Sequence, residues 1–428
     1  MNFKISNLEF FKSVISTVSF ENLYNNKQSI YFIIINIVVA FLGFVRSFAF
    51  MKFLDLKELG FLTLIQTGAM LIGFFQIGLI NGGYRILALQ DSKLSKDTNN
   101  VLFSYFGILF IVLLGIYAIG SITGLITENL IVFITILIGL FALLNNWIIN
   151  MLIASREYDR LNKANLLSVL LSVACLPLAY FYGIYGGAIS LLIQPLALVI
   201  FVLLTGRNLW INKFSISVLK LKNILHYGFI PYLSGLFFLS YMQIERWSIA
   251  SYLGTTSLGS FYLVFLITSL WVLIPTSINS LFFPKAVKYY EDKDYDNFKT
   301  IININFGVIL AYCFIVSLII IVFLSPVVSF VFPKHFPFVK YALLALPGLV
   351  FRTLSDPISL FLNSVVKLKP IFWSDISGLA LYSFLICFFV LLHSFTLNAV
   401  VICFDIYYGY KLFYLLISYF RLKKQVLL

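Results

Sequence analysis

Charge is scarce in this 428-residue chain: Asp, Glu, Lys and Arg together make up 11% of it, against about 25% in ordinary soluble domains. That deficit excludes water as the main solvent of its surface. Metal and redox chemistry lack their usual residues. The histidines, His226, His335 and His393, are scattered. Cys175, Cys313, Cys387 and Cys403 lie in apolar stretches with no C-x-x-C, the pattern of structural thiols. There is no phosphate-binding Gly-rich loop ending in Gly-Lys-Ser/Thr and no Ser-His-Asp constellation, so no means of hydrolysing ATP is visible. Long polar segments are also missing. The longest connections, near 207–223 and 284–300, are too short to fold as a catalytic domain, so no enzyme activity is expected. The first 28 residues carry Lys4, Glu9, Lys12, Glu21 and Lys27 and no compact apolar core, which argues against a signal peptide.

What the chain does have is apolar length: 61% of it is hydrophobic. A helix needs roughly 20 apolar residues to cross a bilayer. The sequence predicts spans near 29–54, 61–83, 99–122, 129–151, 164–182, 185–206, 224–252, 256–283, 301–325, 336–362, 370–391 and 394–418. This is an all-α integral membrane fold of about twelve transmembrane helices. Gly183, Gly186 and Gly187 supply the turn that divides the uncharged run from Ala164 to Gly206 into two spans. Phe3, Leu8, Phe11, Ile15 and Val18, at spacings of three to five, predict an amphipathic segment over residues 1–28 lying on the membrane surface.

The net charge of +13 does not signal nucleic acid, because the basic residues form no single stripe or arm. They recur between apolar runs. Of the 30 Lys and Arg, 22 fall in the even-numbered loops and the two tails. Only Lys52, Lys57, Lys334 and Lys340 fall in the odd-numbered loops, and Arg46, Arg246, Arg352 and Lys411 sit within spans. Positively charged loops stay in the cytoplasm, so the even loops and both termini are expected there.

A weak repeat runs at an offset of 199 residues. Leu54, Leu59, Gly60 and Leu64 match Leu253, Leu258, Gly259 and Leu263, in the joints between spans 1 and 2 and between spans 7 and 8. Six spans per copy keep both copies in one orientation, as in transporters built of two lobes. The expected organisation is an N-lobe over 29–206, a cytoplasmic linker over 207–223, a C-lobe over 224–418 and a basic tail over 419–428.

The same joints carry a family resemblance. Phe44-Val-Arg46 through Gly60-Phe-Leu-Thr-Leu64, followed by Gln76-Ile-Gly-Leu-Ile-Asn-Gly-Gly-Tyr-Arg85, resembles the opening of the polysaccharide (O-antigen, Wzx-type) flippases. These belong to the multidrug/oligosaccharidyl-lipid/polysaccharide (MOP) exporter superfamily. Tyr227-Gly-Phe-Ile-Pro231, Glu245-Arg-Trp247, the run from Leu253 to Tyr262, and Pro284-Lys285 resemble the second half of that pattern. Glu245 departs from it, since Asp is usual there. The resemblance implies a MATE-like two-lobed exporter in the bacterial inner membrane that moves an undecaprenyl-pyrophosphate-linked oligosaccharide outward by alternating access. It implies no cofactor beyond an H+ or Na+ gradient. The implied partners are the lipid-linked oligosaccharide, the bilayer, a polysaccharide polymerase and a chain-length regulator. A cation-coupled multidrug antiporter of the same superfamily is the competing reading. It would want acidic residues where the N-terminal half offers Arg46.

A charge at the centre of a spanning helix costs roughly 2.5–3.5 kcal/mol, so each one asks for a reason. Arg46 lies about 17 residues into span 1, roughly 25 Å along the helix, with no acid within five positions. It either snorkels to the outer interface or faces an interior where its planar fork suits a pyrophosphate. Glu245 and Arg246 are adjacent and point about 100° apart. Arg352 and Asp356, spaced i, i+4, are placed to pair beside a kink at Pro357. Arg46, Glu245, Arg246 and Arg352 are the candidate substrate-binding residues. Asp356 and Asp405 are the candidate ion-coupling residues: Asp405 has no basic neighbour at i±3 or i±4, which suits either proton carriage or a hydrogen-bonded acid held by a tyrosine such as Tyr408. Asp375 is expected near the cytoplasmic interface. Trp147, Trp210, Trp247 and Trp373 fall near span ends, as interfacial belt residues do.

Overall fold

The fold was read from a computed structural model that describes residues 27–88, 92–127, 129–155, 157–205, 214–215 and 217–426. Residues 1–26 of the expected amphipathic segment and residues 207–213 of the linker, with Trp210, lie outside the described residues. The regular structure is entirely helical among the described residues. Helices close every backbone hydrogen bond within one segment, which lipid demands. Ser and Thr inside the spans obey the same rule by bonding back one turn, as Thr63 does to Leu59, Thr67 to Thr63, and Ser364 to Leu360.

The helices run in the order α1 (Lys27–Phe53), α2 (Leu56–Ile72), α3 (Leu79–Ala88), α4 (Ser92–Ile122), α5 (Asn129–Ala154), α6 (Tyr158–Ala174), α7 (Leu176–Thr205) and α8 (Val218–Ser248). There follow α9 (Thr255–Ser260), α10 (Tyr262–Glu291), α11 (Tyr295–Val331), α12 (Val339–Leu344), α13 (Leu346–Ser364), α14 (Lys369–Leu391) and α15 (Leu397–Val426). Each expected span falls on helix. Among the described residues nine helices are long and apolar enough to cross a membrane, and a tenth span arises if the bent pair Pro333–Leu344 and Leu346–Ser364 is one. One of the nine, α7, is interrupted by Gly183 at φ 55 and ψ −130. A Cβ is poorly tolerated in that conformation, and the break lies where the glycines predict the turn between the fifth and sixth spans.

Span 2 is less regular than expected. After α2 a 3₁₀ turn over Gly73–Gln76 leads to Ile77 at φ 42 and Gly78 at φ 90, and only then does α3 begin. The Gln-Ile-Gly-Leu motif is therefore a helix break. A Cβ on Gly78 would also run into the backbone of Gly228. Span 7 ends in a π-helical turn, Ile249–Leu253, directly after Glu245 and Arg246.

The chain gathers into two compact units. Unit 1 holds the residues up to Phe53 together with Gly68–Pro231, and unit 2 holds Leu54–Thr67 together with Tyr232–Leu428. Of the helices, α2 belongs to unit 2 through Thr67 and α8 changes unit after Pro231. In unit 2 the repeat segments meet. A Cβ on Gly60 would strike the carbonyl of Thr255, and a Cβ on Gly259 that of Leu56. The two repeat-matched glycines thus let α2 and α9 approach backbone to backbone, as small residues do between membrane helices.

The core of unit 1 is centred on Leu102, Leu143, Trp147, Ile148, Met151, Leu161 and Ala164. Trp147 is fully buried rather than interfacial, its ring lying where a Cβ on Gly83 would be. Trp247 and Trp373 are exposed as expected. The core of unit 2 is built from Ala286, Phe298, Ile358, Phe361, Leu362 and Leu415. Outside these cores the surface is apolar. On α11, Phe314, Val322, Phe323 and Phe330 point outward, Phe330 being 89% exposed, a surface that lipid and not water would solvate.

Candidate functional site

In unit 1 the spanning cation Arg46 joins α1 to α6 and α7. The Arg46 side chain is half-buried and turns from α1 toward α6 and α7. Its Nη1 donates to Ser172 Oγ at 2.9 Å and to Gln194 Oε1 at 2.6 Å. Ser172 is itself fixed. Its hydroxyl donates to the Ser190 carbonyl at 2.7 Å, and Ser190 Oγ donates to the Ser172 carbonyl at 2.8 Å. This reciprocal pair ties α6 to α7, and both serines are fully buried. The sequence holds no Asp or Glu over residues 98–127, 129–156 and 160–244. The helices that follow α3 in unit 1 therefore carry no carboxylate within their spans.

Unit 2 does the opposite. Glu245 and Arg246 are both buried, at 4% and 8% exposure. Arg246 donates from Nη1 to Thr67 Oγ1 at 3.3 Å and sits 4.8 Å over the Phe265 ring. Glu245 lies within electrostatic reach of Arg246 and Arg352. Arg352 stacks 5.6 Å over Tyr408 and feels Asp356 one turn away on α13. Asp356 in turn feels Lys411 of α15, and Lys411 Nζ pairs with Asp375 Oδ1 of α14 at 2.5 Å. Charges alternate from α8 through α13 and α15 to α14. The cations Arg246, Arg352 and Lys411 balance the carboxylates Glu245, Asp356 and Asp375. Asp375, expected at the interface, is 8% exposed and paired.

Tyrosines wrap the middle of this chain of charges. Tyr241 stacks on Tyr407 at 5.0 Å and meets Tyr382 and Tyr408 edge-on at 5.5 and 5.8 Å. All four are buried. Asp356 also lines a cavity of ≈ 330 Å³ with Asn279, Phe283, Ser359, Leu360 and Asn363. Asn305, fully buried, donates from Nδ2 to Asn279 Oδ1 at 3.0 Å beside it.

Asp405 stands apart from these charges. Its Oδ1 accepts from the Gly348 amide at 2.8 Å, in the first turn of α13. That amide has no acceptor within its own helix, so Asp405 caps the helix from α15. The bond goes to this amide rather than to Tyr408. Near Pro357, Thr353 Oγ1 accepts from Trp271 Nε1 at 2.7 Å, both side chains being buried.

The structure thus gathers Glu245, Arg246, Arg352 and Asp356 in unit 2 and leaves Arg46 in unit 1. Ser172, Ser190 and Gln194 were missed by sequence reasoning. Their signal is polarity inside the uncharged run Ala164–Gly206. Among the described residues no group of three His, Cys, Asp or Glu could hold a metal ion.

No protein-family model and no curated protein matches the chain. Solved structures do. An inward-facing multidrug resistance MATE family transporter of the MOP superfamily aligns at a TM-score of 0.68 and 15% identity, over 90% of this chain and 94% of that one. Lipid II flippase MurJ in an inward closed conformation aligns at 0.71 and 17%, over 91% and 87%. A MOP superfamily transporter from Pyrococcus furiosus, described as having a binding pocket of reverse polarity, aligns at 0.61 and 17%, over 93% and 94%. The chain has the fold of MOP-superfamily transporters.

Proposed function

We propose that the chain is a bacterial inner-membrane flippase that moves an undecaprenyl-pyrophosphate-linked oligosaccharide from the cytoplasmic to the periplasmic leaflet, for O-antigen or another surface polysaccharide. The observation that carries this reading is Arg46. It is a half-buried guanidinium held by Ser172 and Gln194, in a unit whose later spans contain no acid. A guanidinium at this depth suits an anion, and its planar fork suits a phosphate. A fold shared with a lipid II flippase supports the same reading. Moving an anionic pyrophosphate outward runs down an inside-negative potential, worth about 2.3 kcal/mol per charge per 100 mV. In unit 2, Asp356, which lines a cavity with Asn279, Ser359 and Asn363, is the proposed ion-coupling group.

The MATE neighbours favour a second reading, a cation-coupled multidrug antiporter. One deletion strain separates the two. Loss of the gene should trap undecaprenyl-pyrophosphate oligosaccharide on the cytoplasmic leaflet and remove a surface glycan on gels, with cationic-dye accumulation unchanged. Intact glycan with raised dye accumulation would establish the antiporter instead.

A further inference from the structure

Two spanning helices of unit 2 bring polar stripes to one cavity. Asp356, Ser359 and Asn363 follow at i, i+3 and i+7 on α13, and Asn279 and Phe283 at i and i+4 on α10, spacings that put each set on one helix face. With Leu360 they line the cavity of ≈ 330 Å³. Polar side chains within spans are costly and mark substrate or ion paths. Among the described residues, the side chains of Asp356, Ser359 and Asn363 make no hydrogen bond to protein. Asn279 Oδ1 accepts from Asn305 Nδ2 at 3.0 Å, which leaves the Asn279 NH2 to donate. Phe283 and Asn363 are exposed. Lysines follow each stripe, Lys285 and Lys288 on α10 and Lys367 and Lys369 after α13, at the end that the positive-charge pattern assigns to the cytoplasm.

We propose that this cavity is a carbohydrate subsite that holds one pyranose ring of the lipid-linked headgroup. The inference rests on the flippase reading and assigns a place to the sugar part of that substrate. A pyranose carries neighbouring hydroxyls, each both donor and acceptor, around a ring with an apolar C–H face. The lining matches both features. The Asp356 carboxylate accepts, the Asn279 NH2 donates, and Ser359 and Asn363 do both. Phe283 supplies an apolar aromatic wall for the C–H face. The volume falls in the range of small-molecule sites, about 300–1,000 Å³. A dehydrated metal ion needs far less room and no aromatic wall, and an acyl chain would leave the carboxylate and amides without partners. Asp356 is also the proposed ion-coupling group, so sugar and ion meet at one residue.

The test uses the full-length protein in an amine-oxide detergent, which has no sugar headgroup to compete. Methyl pyranosides of glucose, galactose, mannose, rhamnose and N-acetylglucosamine are titrated in turn, with erythritol as an acyclic polyol control. Saturation-transfer NMR is the readout. At least one pyranoside should bind, its ring C–H protons receiving more saturation than its O-methyl group, and erythritol should not. Phe283→Ala and Asn363→Ala should each weaken the apparent Kd for that pyranoside by about tenfold, one contact of about 1.4 kcal/mol. Both side chains are exposed, so the core is untouched, and if one variant does not fold the other decides. No pyranoside bound above erythritol, or either folded variant binding as tightly as wild type, overturns the carbohydrate subsite. The flippase reading survives that result, because it is decided by the surface glycan of the deletion strain. Pyranoside binding that both variants weaken, in a protein whose deletion leaves the glycan intact, would keep the subsite and sink the flippase reading.

Discussion

Unit 1 holds Arg46 on the neutral acceptors Ser172 and Gln194, whereas unit 2 links three cations and three carboxylates into one network, with Asp405 apart from it. The physical difference is in the groups that each charge meets. In unit 2 the partner is protein: Lys411 and Asp375 meet at 2.5 Å with their side chains 16% and 11% exposed. In unit 1 Ser172 and Gln194 satisfy hydrogen bonds but contribute no negative charge. A balanced network is self-sufficient and can hold helices together.

The largest effect that comparison predicts is at Arg46. Arg46→Ala should abolish export while membrane levels stay normal, measured as surface glycan against immunoblotted protein. Arg46→Lys should restore part of it, because the charge returns without the planar fork. Normal export in the Ala variant would make Arg46 another structural cation and erase the contrast.

The next effect is on stability, in the other unit. Lys411→Ala strands Asp375 in a dry site, and breaking a buried pair typically costs about 3–5 kcal/mol. The variant should lose thermal stability in detergent, and adding Asp375→Asn should recover most of it, since both charges are then gone. Export per folded molecule should fall far less than for Arg46→Ala. Equal stability of the single and double variants would mean that the pair is not held together by charge.

Much of this was legible in the sequence, for reasons tied to particular residues. Apolar length placed helix under each span, and Gly183 marked a real break. The matched glycines Gly60 and Gly259 turned out to touch, so a weak repeat recorded a packing contact. Single residues could not say which distant helix they would face. Lys411 and Asp375 are 36 positions apart, and nothing local pairs them. Gln194 looked like one polar residue in an uncharged run until its 148-residue separation from Arg46 closed to a hydrogen bond. Trp147 sat near a predicted span end and read as interfacial, yet Gly83 opens a slot that takes its ring into the core.

The smallest expected effect sharpens the comparison within unit 2. By sequence Asp405 is a lone acid and Asp356 is placed to pair with Arg352, and either is a candidate to carry a coupling ion. Their surroundings differ. Asp356 lines a cavity with Asn279, Ser359 and Asn363 and feels Arg352 and Lys411, while Cys313 of α11 lies within its field. Asp405 caps the Gly348 amide at the start of a helix, a role in which Asn is roughly as good as Asp. Asp405→Asn should therefore leave both export and its dependence on the pH gradient nearly unchanged in reconstituted vesicles, because the side-chain oxygen still accepts from Gly348. Asp405→Ala should cost about 1 kcal/mol of stability through the lost cap. Asp356→Asn should reduce the response to the gradient, since it removes the ionisable oxygen at the cavity. If Asp405→Asn abolishes the pH response and Asp356→Asn does not, the coupling ion passes through the helix cap, and the charge network of unit 2 is scaffolding alone.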